Sequence, residues 1–176
     1  CGTFKGDVGK MVAKISVGNS LYGALAYNGE KINEAKGRLL TTNCIYNDGT
    51  GTMDIHRAME DFLALMPVRS KVEKPVVHIS LNPHPDDILT DTELQDIARE
   101  YLEKMGFGNQ PYLVFKHEDI DRHHLHIVTV RVDENGRSID TRNNFYRSKQ
   151  ITRELEQKYG LHDAERRNRR LDTPLH

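Results

Sequence analysis

The segment His117-Glu118-Asp119-Ile120-Asp121-Arg122-His123-His124-Leu125-His126 concentrates groups able to ligate a metal or move a proton. His124 and His126 are two residues apart, so on a β-strand both side chains leave the same face. His117 lies seven residues before His124, at the end of a preceding strand, and a hairpin would fold it back towards the pair. Three imidazoles on neighbouring strands make a facial metal site that leaves positions for water or substrate. A ligating imidazole needs its second ring nitrogen held by an acceptor. Asp121 is the first candidate for that role and Asp119 the second; either could equally serve as a general base. One histidine on a strand is ordinarily a half-buried polar residue. Two at alternate positions with a third before them, in a chain of nine histidines, are poorly explained that way. His123 points to the face opposite His124. His78, His56, His84, His162 and His176 read as surface or structural residues, although His78 would approach the site if its strand were a neighbour.

Alternating helices and strands must position this cluster. Thr90-Asp91-Thr92-Glu93 is a capping-box pattern, followed by Leu94, Ile97, Ala98, Tyr101, Leu102 and Met105 at helical spacing, with Gly106 at the stop. A second helix carries Ile55, Ala58, Met59, Phe62, Leu63 and Met66 and ends at Pro67; a third carries Ile151, Leu155 and Tyr159 before Gly160. A shorter helix starts at Ser20, turns Leu21, Ala24 and Leu25 inward, and is expected to end near Asn28-Gly29. Strands are expected from Met11 to Val17, Val76 to Leu81, Tyr112 to Lys116 and His124 to Val132. The last is apolar on both faces near its middle, so it is expected to be the longest and central in the sheet. A turn over Asp133-Glu134-Asn135-Gly136 leads into a short return around Ser138-Ile139. The expected class is α+β, a central antiparallel sheet with helices packed mainly on one face.

The 176 residues suit one domain. The expected division is a leader or flexible arm over 1–10, a catalytic domain over 11–161 and a basic tail over 162–176, truncated from a longer protein. With 25 Lys+Arg against 26 Asp+Glu, net charge alone announces no nucleic-acid partner. Cys1 and Cys44 form no framework, which suits a reducing, cytoplasmic setting. No apolar run approaches membrane-spanning length, so no membrane partner is expected.

The pattern His117-x-Asp119-x-Asp121-x-x-His124-x-His126, followed by Ile127-Val128, resembles the third motif of plasmid mobilisation relaxases, which are histidine–hydrophobe–histidine (HUH) endonucleases. The stretch from Met11 to Ile15 followed by Ala24-Leu25-Ala26-Tyr27 is similar to the relaxase first motif, whose tyrosine ends a short helix. Thr42-Asn43-Cys44 and His78-Ile79-Ser80-Leu81 with Pro85-Asp86-Asp87 extend the likeness from Met11 to Leu161, closest to the MobP type. Ile127-Val128-Thr129-Val130-Arg131 departs from it, lacking the polar residue often placed soon after the last histidine.

That resemblance implies an HUH, ferredoxin-like palm that nicks one strand of single-stranded DNA at a transfer origin during conjugation. It implies a tyrosine nucleophile, a covalent 5′-phosphotyrosyl intermediate and one divalent metal ion, Mg²⁺ or Mn²⁺, on His117, His124 and His126. Imidazoles also suit Zn²⁺ and Ni²⁺ in vitro. Tyr27 is the implied nucleophile, with Tyr22 in reserve and Tyr46 third. A phenol with a pKa of about 10 is a weak nucleophile without such help. Lys14, Lys31, Arg38 and Arg153, with Lys36, Arg147 and Lys149, are candidate phosphate contacts. Accessory mobilisation proteins and a coupling protein are the implied partners. An HUH replication initiator or transposase would place its tyrosine after the histidines, at Tyr146 or Tyr159. A metal-dependent hydrolase would use bound water, and a non-enzymatic nucleic-acid-binding module would keep the histidines for structure.

Overall fold

The computed structural model describes residues 11–118, 123–140 and 144–161. The expectations for the 1–10 arm, the 162–176 tail, Asp119 and Asp121 lie outside those residues, as do His162 and His176. The chain order is β1 (Val12–Gly18), α1 (Leu21–Asn33), β2 (Gly37–Asn43), α2 (Ile55–Leu65), β3 (Val76–Asn82), α3 (Asp91–Met105), β4 (Tyr112–His117), β5 (His124–Val130) and α4 (Asn144–Tyr159). The five strands form one sheet in the order β1-β3-β5-β4-β2, with each neighbouring pair antiparallel. The α+β class is therefore as expected.

β5 is central, as its two apolar faces imply, but at seven residues it matches β1, β2 and β3 in length and stops at Val130. The return beyond the turn is a single bridge, Val132 to Ser138. β2 has no counterpart among the strands read from sequence. Its Gly37-Arg38-Leu39-Leu40-Thr41 has no clean alternation, and a register irregularity between Leu39 and Thr41 breaks the two-residue period.

Two cores sandwich the sheet. Leu94, Ile97, Tyr101, Leu102 and Met105 of α3 and Ile151 and Leu155 of α4 close one face against Val77, Ile79, Leu81, Val114, Leu125 and Ile127. On the other face, Leu21 and Leu25 of α1 and Ala58 and Phe62 of α2 cover Leu39, Val76, Leu113, Phe115, Val128 and Val130. The helices are thus shared two and two between the faces rather than gathered mainly on one. The reason is connectivity: α1 must carry the chain between the two edge strands β1 and β2, across the face that α3 and α4 leave open. Burying each large side chain contributes about 1.5–3 kcal/mol, so both helix pairs are firmly held.

The caps follow the sequence closely. Thr90 and Glu93 form a reciprocal capping box at the start of α3, and Gly106 ends it at φ 93° in the left-handed region glycine tolerates. α1 corrects the expected boundary. It begins with Ser20 capping the Gly23 amide but continues through Asn28 and Gly29 to Asn33. Asn28 is tolerated mid-helix because its amide nitrogen donates to the Ala24 carbonyl at 2.8 Å. Gly29 is tolerated because α2 lies against it: a Cβ there would stand 3.1 Å from Ile55 Cδ1.

Candidate active site

The register assembles the histidines. His117 and His124 are direct partners across the β4–β5 pair, and His126 lies opposite Phe115 on one side and Ser80 of β3 on the other. Paired residues share a face, so all three imidazoles rise from the face bearing α1 and α2. They occupy one end of it, beyond the apolar cover. The His117 and His126 rings stack with centroids 3.8 Å apart and planes 20° from parallel; His124 and His126 are 6.5 Å apart. His78 joins them, as its place on a neighbouring strand allows, with its ring 5.1 Å from that of His126 and its Nε2 3.3 Å from His126 Nδ1. Burial lowers the pKa of His78, so it is held neutral, and one of those two nitrogens donates to the other.

Asparagines, which the sequence reading did not single out, fix two of the rings. Because the Asn28 amide nitrogen is committed to Ala24, its Oδ1 faces His117 Nε2 at 2.8 Å. A carbonyl oxygen only accepts, so Nε2 carries the proton. On the other side Asn82 donates through Nδ2 to Ser80 Oγ at 2.8 Å, while its Oδ1 meets His124 Nδ1. That pairing assigns the proton of His124 to Nδ1. Asn28 is fully buried and His117 is 2% exposed, so this amide–imidazole contact is shielded from water. A signal was present in the sequence: Asn82 ends the strand that begins at Val76, and Asn28 directly follows Tyr27. Neither carries a charge, and both lie far in sequence from the histidines they hold, whereas Asp119 and Asp121 lie among them.

Tyr27 stands over this group from the middle of α1, not from its end. Its ring centroid is 5.9 Å from that of His117 and 6.3 Å from that of His126, and the side chain remains 48% exposed, open to a substrate. One turn further along α1, Lys31 Nζ lies 5.8 Å from the Tyr27 ring centroid, placing a cation beside the phenol. Among the described residues neither Tyr22 nor Tyr46 makes a ring contact with a histidine. Tyr46 instead lies under Arg57, 4.3 Å from its guanidinium carbon. Tyr146 lies at the start of α4 and Tyr159 at its end, where Tyr159 sits beside Lys158, 5.7 Å from its ring centroid.

The cations divide by face. Lys14 pairs with Ser80 in the sheet register, so it projects exposed from β1 on the histidine face. Arg38 pairs with Lys116, on the opposite face, and both hold Asp91 at the start of α3. Buried Lys116 also binds Glu118 at 2.8 Å, and that hydrogen bond holds the Glu118 carboxyl below its usual pKa. His123 is turned towards Glu118, 4.0 Å away, and burial lowers its pKa. Arg153 lies on α4, against the far face.

Among the described residues no three His, Cys, Asp or Glu side chains are arranged as a complete ligand set. The donor chemistry nevertheless fits a divalent ion. Three imidazoles share one face, and in His117 and His124 an asparagine oxygen takes one ring N–H, the outer-shell arrangement that orients ligating histidines. Among the described residues no helix is long and apolar enough to cross a membrane.

Residues 27–161 match the family model described as Relaxase: MobA/VirD2-like, nuclease domain. No curated protein matches the chain. The matched range begins at the tyrosine that overhangs the histidines and includes all four of them.

Proposed function

Because the chain belongs to the MobA/VirD2-like nuclease-domain family of relaxases, endonucleases that nick DNA in mobilisation, we propose that Tyr27 is its nucleophile. One observation carries this reading: Tyr27 is the exposed tyrosine whose ring lies against two of the clustered histidines, at 5.9 and 6.3 Å. The substrate is single-stranded DNA at a transfer origin, entering over the open end of the sheet.

His117, His124 and His126 are the residues that would hold a divalent ion, Mg²⁺ or Mn²⁺. Bound there, it would draw charge off the phosphate oxygens and stabilise the crowded transition state. Asn28 and Asn82 keep His117 and His124 in single tautomers and orientations, so the site needs little reorganisation when DNA arrives. Lys31 and Lys14 supply positive charge on the same face, which positions a phosphate without reading sequence.

In the chemical step the Tyr27 Oη–phosphorus bond forms as the bond from phosphorus to the 3′-oxygen breaks. The phenolic proton passes to a base, for which Asp121 and then Asp119 are the proposed residues. The departing oxygen takes up a proton and leaves as a 3′-hydroxyl, with the 5′-phosphate esterified to Tyr27. The phosphodiester bond is exchanged rather than hydrolysed, so the reverse reaction rejoins the strand without a nucleotide cofactor. Accessory mobilisation proteins and a coupling protein are the proposed partners of this cycle.

The test is a covalent-adduct assay. Protein is incubated with Mn²⁺ and single-stranded oligonucleotides carrying candidate transfer origins, then run on a denaturing gel. Wild type is expected to give a protein–DNA band that Tyr27→Phe and His124→Ala lose. A band that survives Tyr27→Phe moves the nucleophile to another tyrosine. Cleavage with no band at all replaces the tyrosine with bound water.

A further inference from the structure

We propose that the outer stripe of α4, running from Phe145 and Tyr146 through Lys149 to Arg153, is a second binding surface for single-stranded DNA, separate from the nicking site. Phe145 and Tyr146 are 71% and 74% exposed, the most exposed aromatic side chains among the described residues. Two adjacent, solvent-facing aromatics form a contiguous apolar patch, the kind of feature that marks an interaction site. They meet edge to face, with centroids 5.6 Å apart and planes at 82°, so each leaves a ring face to solvent. Lys149 Nζ lies 5.9 Å from the Phe145 centroid.

Charge selects the occupant. Residues 145, 149 and 153 repeat every four positions and share one side of the helix. Lys149 and Arg153 are exposed, and among the described residues neither is in an ion pair. The neighbouring row holds Glu154, whose carboxylate is taken by Lys104 at 3.0 Å and by Gln150 at 3.3 Å. The stripe itself is therefore cationic as well as aromatic. Aromatic faces stack on any base while flanking cations follow the phosphates, the combination that binds single strands without sequence preference. Lys149 and Arg153 are about 6 Å apart along the axis, comparable to successive phosphates of an extended strand.

The direction of the helix gives the surface its use. α4 runs from Ser148, beside Tyr101 of α3, towards the start of edge strand β1. Near its C-terminal end Glu156 Oε1 accepts from the Met11 amide at 3.1 Å, at the start of edge strand β1. Lys14 stands on the other face of that strand, beside the histidines. DNA held along the stripe would be led round this edge towards Tyr27.

The inference rests on the nuclease reading only for its partner, DNA, and it is tested separately. Fluorescence anisotropy would follow binding of labelled oligo-dT, which contains no origin, in the absence of divalent metal. Phe145→Ala/Tyr146→Ala is expected to weaken binding by about tenfold to a hundredfold. Lys149→Gln/Arg153→Gln is expected to lower the slope of log affinity against log salt by about 1.4. Both should keep the wild-type thermal midpoint, which separates lost binding from lost folding. Undetectable oligo-dT binding by wild type, or affinity and salt slope unchanged in both variants, overturns the proposal. So does an equal loss on duplex DNA, which offers no free base to stack. Loss of the covalent adduct in wild type with stripe-dependent binding intact would remove the nicking mechanism and leave this surface standing.

Discussion

Asn28 and His117 face each other between α1 and the sheet, with Asn28 Oδ1 2.8 Å from His117 Nε2, and neither is appreciably exposed. Tyr27 immediately precedes Asn28, so one helical turn supports both the proposed nucleophile and the orientation of a proposed metal ligand. The contact makes the position of α1 and the state of the imidazole mutually dependent.

Asn28→Ala should therefore impair both stability and chemistry. It strands a buried ring N–H, which costs about 1–3 kcal/mol, and it releases His117 from its fixed orientation. Loss of such an outer partner typically lowers metal affinity or activity about 10–100-fold. Urea unfolding and the initial rate of covalent-adduct formation report the two effects. A rate within twofold of wild type would mean that Asn28 serves packing alone.

Gly37 is the register partner of His117 across the β2–β4 pair and lies close to its ring. A Cβ at this position would stand 3.1 Å from the Lys116 carbonyl, 3.3 Å from Lys31 Cβ and 3.4 Å from His117 Cδ2, so backbone, Lys31 and the ring would have to give. Gly37→Ala should cost about 1–3 kcal/mol of stability, the usual range for overpacking, and lower adduct yield through displacement of His117. Thermal unfolding and the gel assay measure both. An alanine variant that is as stable and as active as wild type would show that β2 shifts without disturbing the site.

These two residues also mark what the sequence could show. The histidine register was legible because a two-residue spacing on a strand and a hairpin-length connection leave few arrangements. Thr90, Glu93 and Gly106 made α3 legible for local reasons. β2 was not, because its bulge at Leu39–Thr41 destroys the alternation that announces a strand. α1 was cut short because Asn28-Gly29 reads locally as a helix stop. Its continuation depends on His117 and Ile55, which lie 89 and 26 positions away. The asparagine partners were hidden for the same reason: only the register reveals that Asn82 ends its strand beside His124.

Tyr101 links α3 to α4 through a pH-sensitive contact. Its hydroxyl lies 2.7 Å from Ser148 Oγ, and burial pushes its pKa up to about 12. A raised pKa means that the folded state holds the proton more tightly than the unfolded chain. The associated stability is complete below the unfolded value of about 10 and is lost as pH rises from there towards 12. The loss is roughly 2–3 kcal/mol over that window. Tyr101→Phe should start about 1 kcal/mol less stable at neutral pH, for want of the hydrogen bond, and lose less between pH 10 and 12. Urea midpoints at pH 8, 10 and 11.5 would show the convergence, and parallel declines in the two proteins would mean that another group dominates.

The histidine cluster makes a thermodynamic prediction that needs no DNA. If His117, His124 and His126 hold a divalent ion in the folded protein, the ion stabilises that state by RT ln(1 + [M]/Kd), about 2.7 kcal/mol at a hundred times Kd. Mn²⁺ should accordingly raise the thermal midpoint in a saturable way, and a chelator should reverse it. His126→Ala should abolish the shift while retaining the fold, since its ring is only partly buried and stacks on His117 without filling either apolar core. His78→Ala should leave a reduced shift, because its Nε2 orients His126 at 3.3 Å but is not among the three proposed ligands. A wild-type midpoint indifferent to Mn²⁺, Mg²⁺, Zn²⁺ and Ni²⁺ at millimolar concentration would exclude a preformed ion site. An equal loss in the two variants would instead make His78 a fourth ligand.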